Sequence, residues 1–155
     1  MPLAQSDTAV RPSLTLKRRL NAPAEKVYAA WTDPQKIVKW FGPDSGPVTK
    51  AEVDLRVGGG YNIGFHTENG EYHEVGGVYR EVVPNERLVF TWAHHADDTY
   101  TSPRGHETTI EVTFRAVGNK TELTLVQGQF IDTPSFNGHN EGWKGSFDKL
   151  AAWLV

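Results

Sequence analysis

Five tryptophans, six histidines and no cysteine set the chemistry open to this chain. The missing thiol excludes disulfides, thiolate zinc sites and cysteine nucleophiles together. The histidines do not fall into a metal-site pattern. His94 and His95 are adjacent, so on a strand they point to opposite faces. His66 and His73 flank a hairpin, but no Asp or Glu at ligand spacing joins them. His139-Asn140-Glu141 has the H-x-E form of the zinc deaminases, a site that also needs cysteines. No metal and no cofactor is expected. Ser102, Ser135 and Ser146 lack a nucleophile-elbow context, and Gly58-Gly59-Gly60 precedes a strand with no Lys-Ser/Thr, unlike a phosphate loop. Glu52 or Asp54 with His139 offers an acid/base pair that nothing in the spacing requires, so no catalytic residue is assigned. What remains is a mixture of rings with a few amides and imidazoles. Trp40, Phe41, Phe65, Phe90, Trp92 and Trp143 stand beside Gln127, Gln129, His139 and Asn140. Small-molecule sites are commonly built this way, from apolar walls and a few placed polar groups.

Those residues need elements to bring them together. From Thr133 to Val155, a turn of 100° per residue puts Phe136, Trp143, Phe147, Leu150 and Leu154 on one arc, with His139 and Asn140 on its shoulders. This is a helix buried along one stripe, with Thr133 as its expected N-cap and Pro134 in the first position. Gly138, Gly142 and Gly145 lower its intrinsic propensity, so packing must hold its N-terminal half. The helix needs a broad, curved apolar surface to lie on.

The rest of the chain supplies one. Residues 1–12 read as a loose polar tail and 13–155 as a single domain. Leu14, Leu16 and Leu20 alternate with polar residues in a first strand. Asn21 is the expected cap of a short helix carrying Val27, Ala30 and Trp31, and Asp33-Pro34 restarts a second through Ile37, Val38, Trp40 and Phe41. Strands follow at Val48–Leu55, at Tyr61–Phe65, and at Glu71–Val83 after the Asn69-Gly70 hairpin signal. Gly76-Gly77 marks a bulge or a close approach by another group. Arg87–Ala93 is next; the polar stretch His94–His106 is a long loop; Ile110, Val112 and Phe114, then Leu123 to Gln129, form the last two strands. Strands in sequence with short turns make an antiparallel sheet, and helices grouped at the ends make the fold α+β. The twist of such a sheet leaves a concave face, and the terminal helix is its natural cover.

Length and composition agree. A chain of 155 residues forms one domain burying about 70% of its unfolded surface. With 38% hydrophobic residues and a net charge of -3, it has neither the composition of a disordered chain nor a basic footprint for nucleic acid. No apolar run spans a membrane and residues 1–13 lack a signal-peptide core, so a cytoplasmic location without membrane insertion is expected.

Five segments in consistent order resemble a known family. They are Trp40-Phe41-Gly42-Pro43, Asp54-Leu55-Arg56-Val57-Gly58-Gly59, the run Val82 to Trp92, Thr121-Glu122-Leu123-Thr124-Leu125, and Gly142-Trp143 followed by Phe147, Leu150 and Leu154. Together, from about Leu14 to Val155, the chain resembles the bacterial homologues of the C-terminal domain of the heat-shock protein 90 ATPase activator, within the START-like (SRPBCC) superfamily. The resemblance implies a helix-grip fold, a curved antiparallel sheet of six to seven strands around a long C-terminal helix, with a cavity between them. Trp40, Phe41, Phe65, Phe90, Trp92, Trp143 and Phe147 would then wall that cavity, and Gln127, Gln129, His139 and Asn140 would be its polar points. A dry void of about 300 Å³ would cost on the order of 7 kcal/mol, against a total stability of about 5–15 kcal/mol. A large pocket should therefore carry polar groups and hold water or a ligand.

Three functions fit this architecture. The first is binding of a small apolar or amphipathic molecule without catalysis. The second is an enzyme of cyclase or hydrolase type, with His139 or His73 as general base. The third is a co-chaperone-like or stress-response module with a protein partner. A homodimer is left open.

Overall fold

The structure, a computed structural model, describes residues 11–95 and 105–154. Most of the expected tail, the centre of the expected 94–106 loop and Ser102 lie outside the described residues. The element order is β1 (Leu14–Leu20), α1 (Ala24–Thr32), α2 (Pro34–Trp40), β2 (Val48–Val53), β3 (Gly60–His66), β4 (Tyr72–Val83), β5 (Arg87–His95), β6 (Thr108–Val117), β7 (Lys120–Gly128) and α3 (Thr133–Leu154). The strands form one antiparallel sheet in the order β1-β7-β6-β5-β4-β3-β2. Every neighbour but β1-β7 is a sequential hairpin. This is the α+β helix-grip arrangement expected from the sequence, with α3 laid across one face of the sheet.

The period-two patterns explain the face. Tyr61, Ile63 and Phe65 of β3 pair with Gly77, Val75 and His73 of β4, and Val75 pairs with His94 of β5. Inward residues of adjacent strands thus lie side by side, and Leu88, Phe90, Trp92, Ile110, Val112, Leu123 and Leu125 continue the same buried layer. Trp143, Phe147, Leu150 and Leu154 of α3 complete it from the other side. At roughly 1.5–3 kcal/mol for each fully buried large side chain, this layer is the main source of stability.

Two local expectations are corrected, and a third is settled in favour of one of its two alternatives. Asn21 does not cap α1: Pro23 occupies the N-cap without a side-chain bond, and its carbonyl accepts from the Lys26 and Val27 amides. Thr133 does not cap α3, because Asp132 does, its carboxylate accepting from the Ser135 amide at 2.9 Å. A carboxylate there also suits the positive end of the helix dipole. Register along β4 and β5 shifts between Tyr79 and Glu81, so Gly76-Gly77 is not the bulge. Those glycines answer the other reading, close approach: a Cβ on Gly77 would overlap the Thr91 backbone. Tyr61, opposite Gly77, donates its hydroxyl to the Thr91 carbonyl at 2.6 Å.

The glycines of α3 also find their reason. Gly138, Gly142 and Gly145 recur at four and then three residues, one side of a helix. A Cβ at Gly145 would strike the Pro43 carbonyl oxygen, so the turn after α2 can lie against α3 only because Gly145 is bare. Ser146 donates to the Gly42 carbonyl at 2.7 Å, and the Lys149 ammonium bonds the Phe41 and Asp44 carbonyls. This turn and the glycine side of α3 frame a hollow.

Candidate functional site

The hollow is a cavity of about 280 Å³ between the first half of α3, the 41–43 turn, and strands β3 to β5. It reaches the surface where exposed Pro134 and Gly138 form part of its rim. Phe41 is at its centre. Its ring is 5.8 Å from Phe65, 6.1 Å from Trp92 and 5.8 Å from Trp143, the last edge-on at 89°. Trp92 and Trp143 lie 5.3 Å apart. Offset and edge-on rings of this kind attract beyond their buried area and keep a wall in shape.

The polar groups in and behind the wall are engaged with one another. The Trp92 indole donates to Nε2 of His139 at 3.2 Å, and Nδ1 of His139 is 2.8 Å from the Ser135 carbonyl. An indole N–H can only donate and a carbonyl can only accept, so Nδ1 carries the imidazole proton and Nε2 the lone pair. Burial pushes the His139 pKa below its ordinary value, while the Ser135 bond pulls it back in part. His139 is thus a neutral ring with both nitrogens occupied. Trp143 donates to the Gln127 side-chain oxygen at 2.7 Å, and the Gln127 amide donates to Thr108 at 2.9 Å.

Sequence and structure can be set side by side. Phe41, Phe65, Trp92, His139 and Trp143 meet around the cavity. Phe147 and Gln127 are buried behind the wall and do not line it, while Trp40 and Phe90 line a much smaller hole on its far side: Trp40 donates to the Ala30 carbonyl at 2.9 Å, and Phe147 packs edge-on to Trp31. Gln129 is exposed, its carbonyl 2.8 Å from Nε2 of His106, and half-buried Asn140 lies outside the lining. The cavity also takes in Thr67, His73 and His94, which sequence reasoning placed on a hairpin and a loop. The register of β3 on β4 pairs Phe65 with His73, and alternation along β4 with Val75 and Tyr79 then puts His73 on the inner side, its ring stacked on Phe65 at 5.5 Å. The rings of His94 and His73 are 6.1 Å apart, and those of His94 and His139 are 5.5 Å apart. Among the described residues no group of three or more His, Cys, Asp or Glu is placed to hold a metal ion. No helix among them is long and apolar enough to cross a membrane.

A curved seven-stranded sheet gripping a long terminal helix, with an aromatic hollow between the two, defines a helix-grip domain of START-like type. The chain belongs to the Activator of Hsp90 ATPase homolog 1-like protein family, whose model matches residues 21–154. Protein CV1439 of Chromobacterium violaceum is similar at 31% identity, over 92% of this chain and 97% of that one, with a TM-score of 0.77. The AHSA1 protein SPO3351 of Silicibacter pomeroyi is similar at 29% identity over the same shares, with a TM-score of 0.80. Ms6760 of Mycobacterium smegmatis, 22% identical over 92% and 90% of the two chains, shares the fold at a TM-score of 0.80. No curated protein matches the chain.

Proposed function

We propose that this domain binds a small, largely apolar molecule in the hollow between the sheet and α3, without catalysing a reaction on it. One observation carries the reading: a surface-connected cavity of about 280 Å³ walled by Phe41, Phe65, Trp92 and Trp143 and edged by three imidazoles. A dry hole of that size would cost on the order of 7 kcal/mol, more than most domains can spare. A mouth with polar edges lets solvent or a ligand fill it.

Among the described residues the lining contains no carboxylate, lysine or arginine, which favours a neutral molecule over an ion. The state of His139 weighs against its acting as general base, since a base needs a lone pair that can reach the substrate and this one accepts from Trp92. Butylbenzene and 4-phenyl-2-butanone are suitable probes. Titration followed by two-dimensional NMR should shift resonances of Trp92, Trp143 and Gly142 at saturable concentrations. Native mass spectrometry of freshly purified protein, seeking a co-purified small molecule, is the companion measurement. Absence of saturable shifts with either probe would remove the proposal.

A further inference from the structure

The Phe41, Trp92 and Trp143 rings form a partition as well as a wall. On their far side lies a second, much smaller hole of about 20 Å³, whose lining includes the same three rings together with Trp31 and Tyr79. Trp31 stacks on Trp143 at 5.7 Å and 23°, and it is 94% buried, being 6% exposed. The buried indole N–H groups of Trp40, Trp92 and Trp143 all have acceptors, in Ala30, His139 and Gln127. That of Trp31 has none.

An unpaired buried donor is costly, and structures rarely keep one without a use. The hole is large enough for a single water, which needs roughly 10–15 Å³. A water there could accept from Trp31 and donate to the Tyr79 and Tyr61 hydroxyl oxygens, but the rest of its surroundings would be rings and aliphatic side chains. An acceptor atom attached to an apolar body needs only one bond and brings its own packing.

Deepening the cavity-binding proposal and resting on it, we infer that the small hole is an inner subsite for a neutral hydrogen-bond acceptor at the tip of the ligand, a ketone, ester or amide carbonyl, which takes the Trp31 indole N–H. The body of the ligand fills the outer cavity. Phe41 is the movable part of the partition. Trp92 and Trp143 are each pinned by a hydrogen bond from the ring, whereas the Phe41 ring has no polar atom. Its main chain is held by Ile37 and Lys149, so the passage opens by side-chain rotation alone. A charged tip is disfavoured, because among the described residues the inner lining contains no charged group to meet it.

A matched pair of probes tests this on the full chain. 4-Phenyl-2-butanone carries a carbonyl where butylbenzene carries a methylene. In wild-type protein the ketone should move the Trp31 indole proton downfield, and butylbenzene should not. In Trp31→Phe, which keeps a ring and removes the N–H, the ratio of the two dissociation constants should shift about tenfold against the ketone. Should Trp31→Phe fail to fold, the wild-type titration decides alone, with the indole signals assigned through the backbone. If both probes bind and neither the Trp31 proton nor the ratio distinguishes them, the inner subsite is overturned and the outer cavity stands. If neither probe binds, both proposals fall.

Discussion

Trp92 and His139, forty-seven residues apart, are joined by a 3.2 Å hydrogen bond in which the indole N–H points at Nε2 of the imidazole. The bond ties the middle of the sheet to the first half of α3, and it exists only while His139 is neutral. Protonation would place a proton on Nε2 and turn the two groups into opposed donors.

Acid should therefore loosen this junction. The folded-state pKa of His139 lies below the ordinary 6.5 because of burial, so the unfolded chain takes up the proton first. The resulting stability is complete above about pH 6.5 and declines as pH falls from there toward the lower folded value. Melting temperatures measured by circular dichroism from pH 8 to pH 5 should fall over that window. His139→Gln should flatten the decline; an unchanged slope would mean that other groups cause it.

Gln127 supports Trp143 from behind. Gln127→Leu leaves the Trp143 and Thr108 partners buried without bonds and should cost about 1–3 kcal/mol in urea unfolding. Adding Trp143→Phe removes the stranded donor, so the double variant should be less destabilised than the sum of its parts. Strict additivity would break the proposed link.

The helix glycines should respond with opposite signs. At Gly138 a Cβ meets nothing within 4 Å, and Gly138→Ala should gain about 0.5–1 kcal/mol from helix propensity. Gly145→Ala makes the same propensity gain but overlaps the Pro43 carbonyl, and should lose about 1–3 kcal/mol net. Equal effects at the two sites would show that the turn yields freely.

Among the described residues, Tyr28 is the other buried one with an unpartnered polar side-chain atom, its hydroxyl. It packs edge-on to Phe114 at 5.4 Å and is not part of either cavity's lining. Tyr28→Phe keeps the ring contact and should stabilise the fold by about 1 kcal/mol. A clear loss of stability would imply a bond that the hydroxyl makes in solution.

The topology was legible in the sequence because period-two alternation and turn residues state it locally. The Leu88, Phe90 and Trp92 face, the Asn69-Gly70 hairpin and the stripe of α3 all fell where they were expected. The cavity wall was legible only in part. Phe147 is a large ring like Phe41 and Trp92, and Trp40 and Phe90 border only the small inner hole; residue type alone cannot tell a ring that borders the main cavity from one packed behind it. His73, named from the sequence only as a general base, and His94, assigned to a loop, were not placed in the wall for a different reason. Their place depends on register across β3, β4 and β5, a relation between strands and not within one. The helix caps were misassigned because neighbouring residues, Asp132 and Thr133, are both chemically fit to cap, and the position of the first turn is fixed by packing further along.

The closing of β1 onto β7 has a consequence for how the domain comes into being. Leu14 pairs with Gln127, the residue that also holds Trp143, so β1 stays unpaired until a strand more than a hundred residues further along has formed. Until β7 is in place β1 presents an unpaired edge, and until α3 lies on the sheet the hollow lacks Trp143 and His139. The hollow is therefore completed only when segments far apart in the chain have met, which makes this non-local pairing the slow part of assembly.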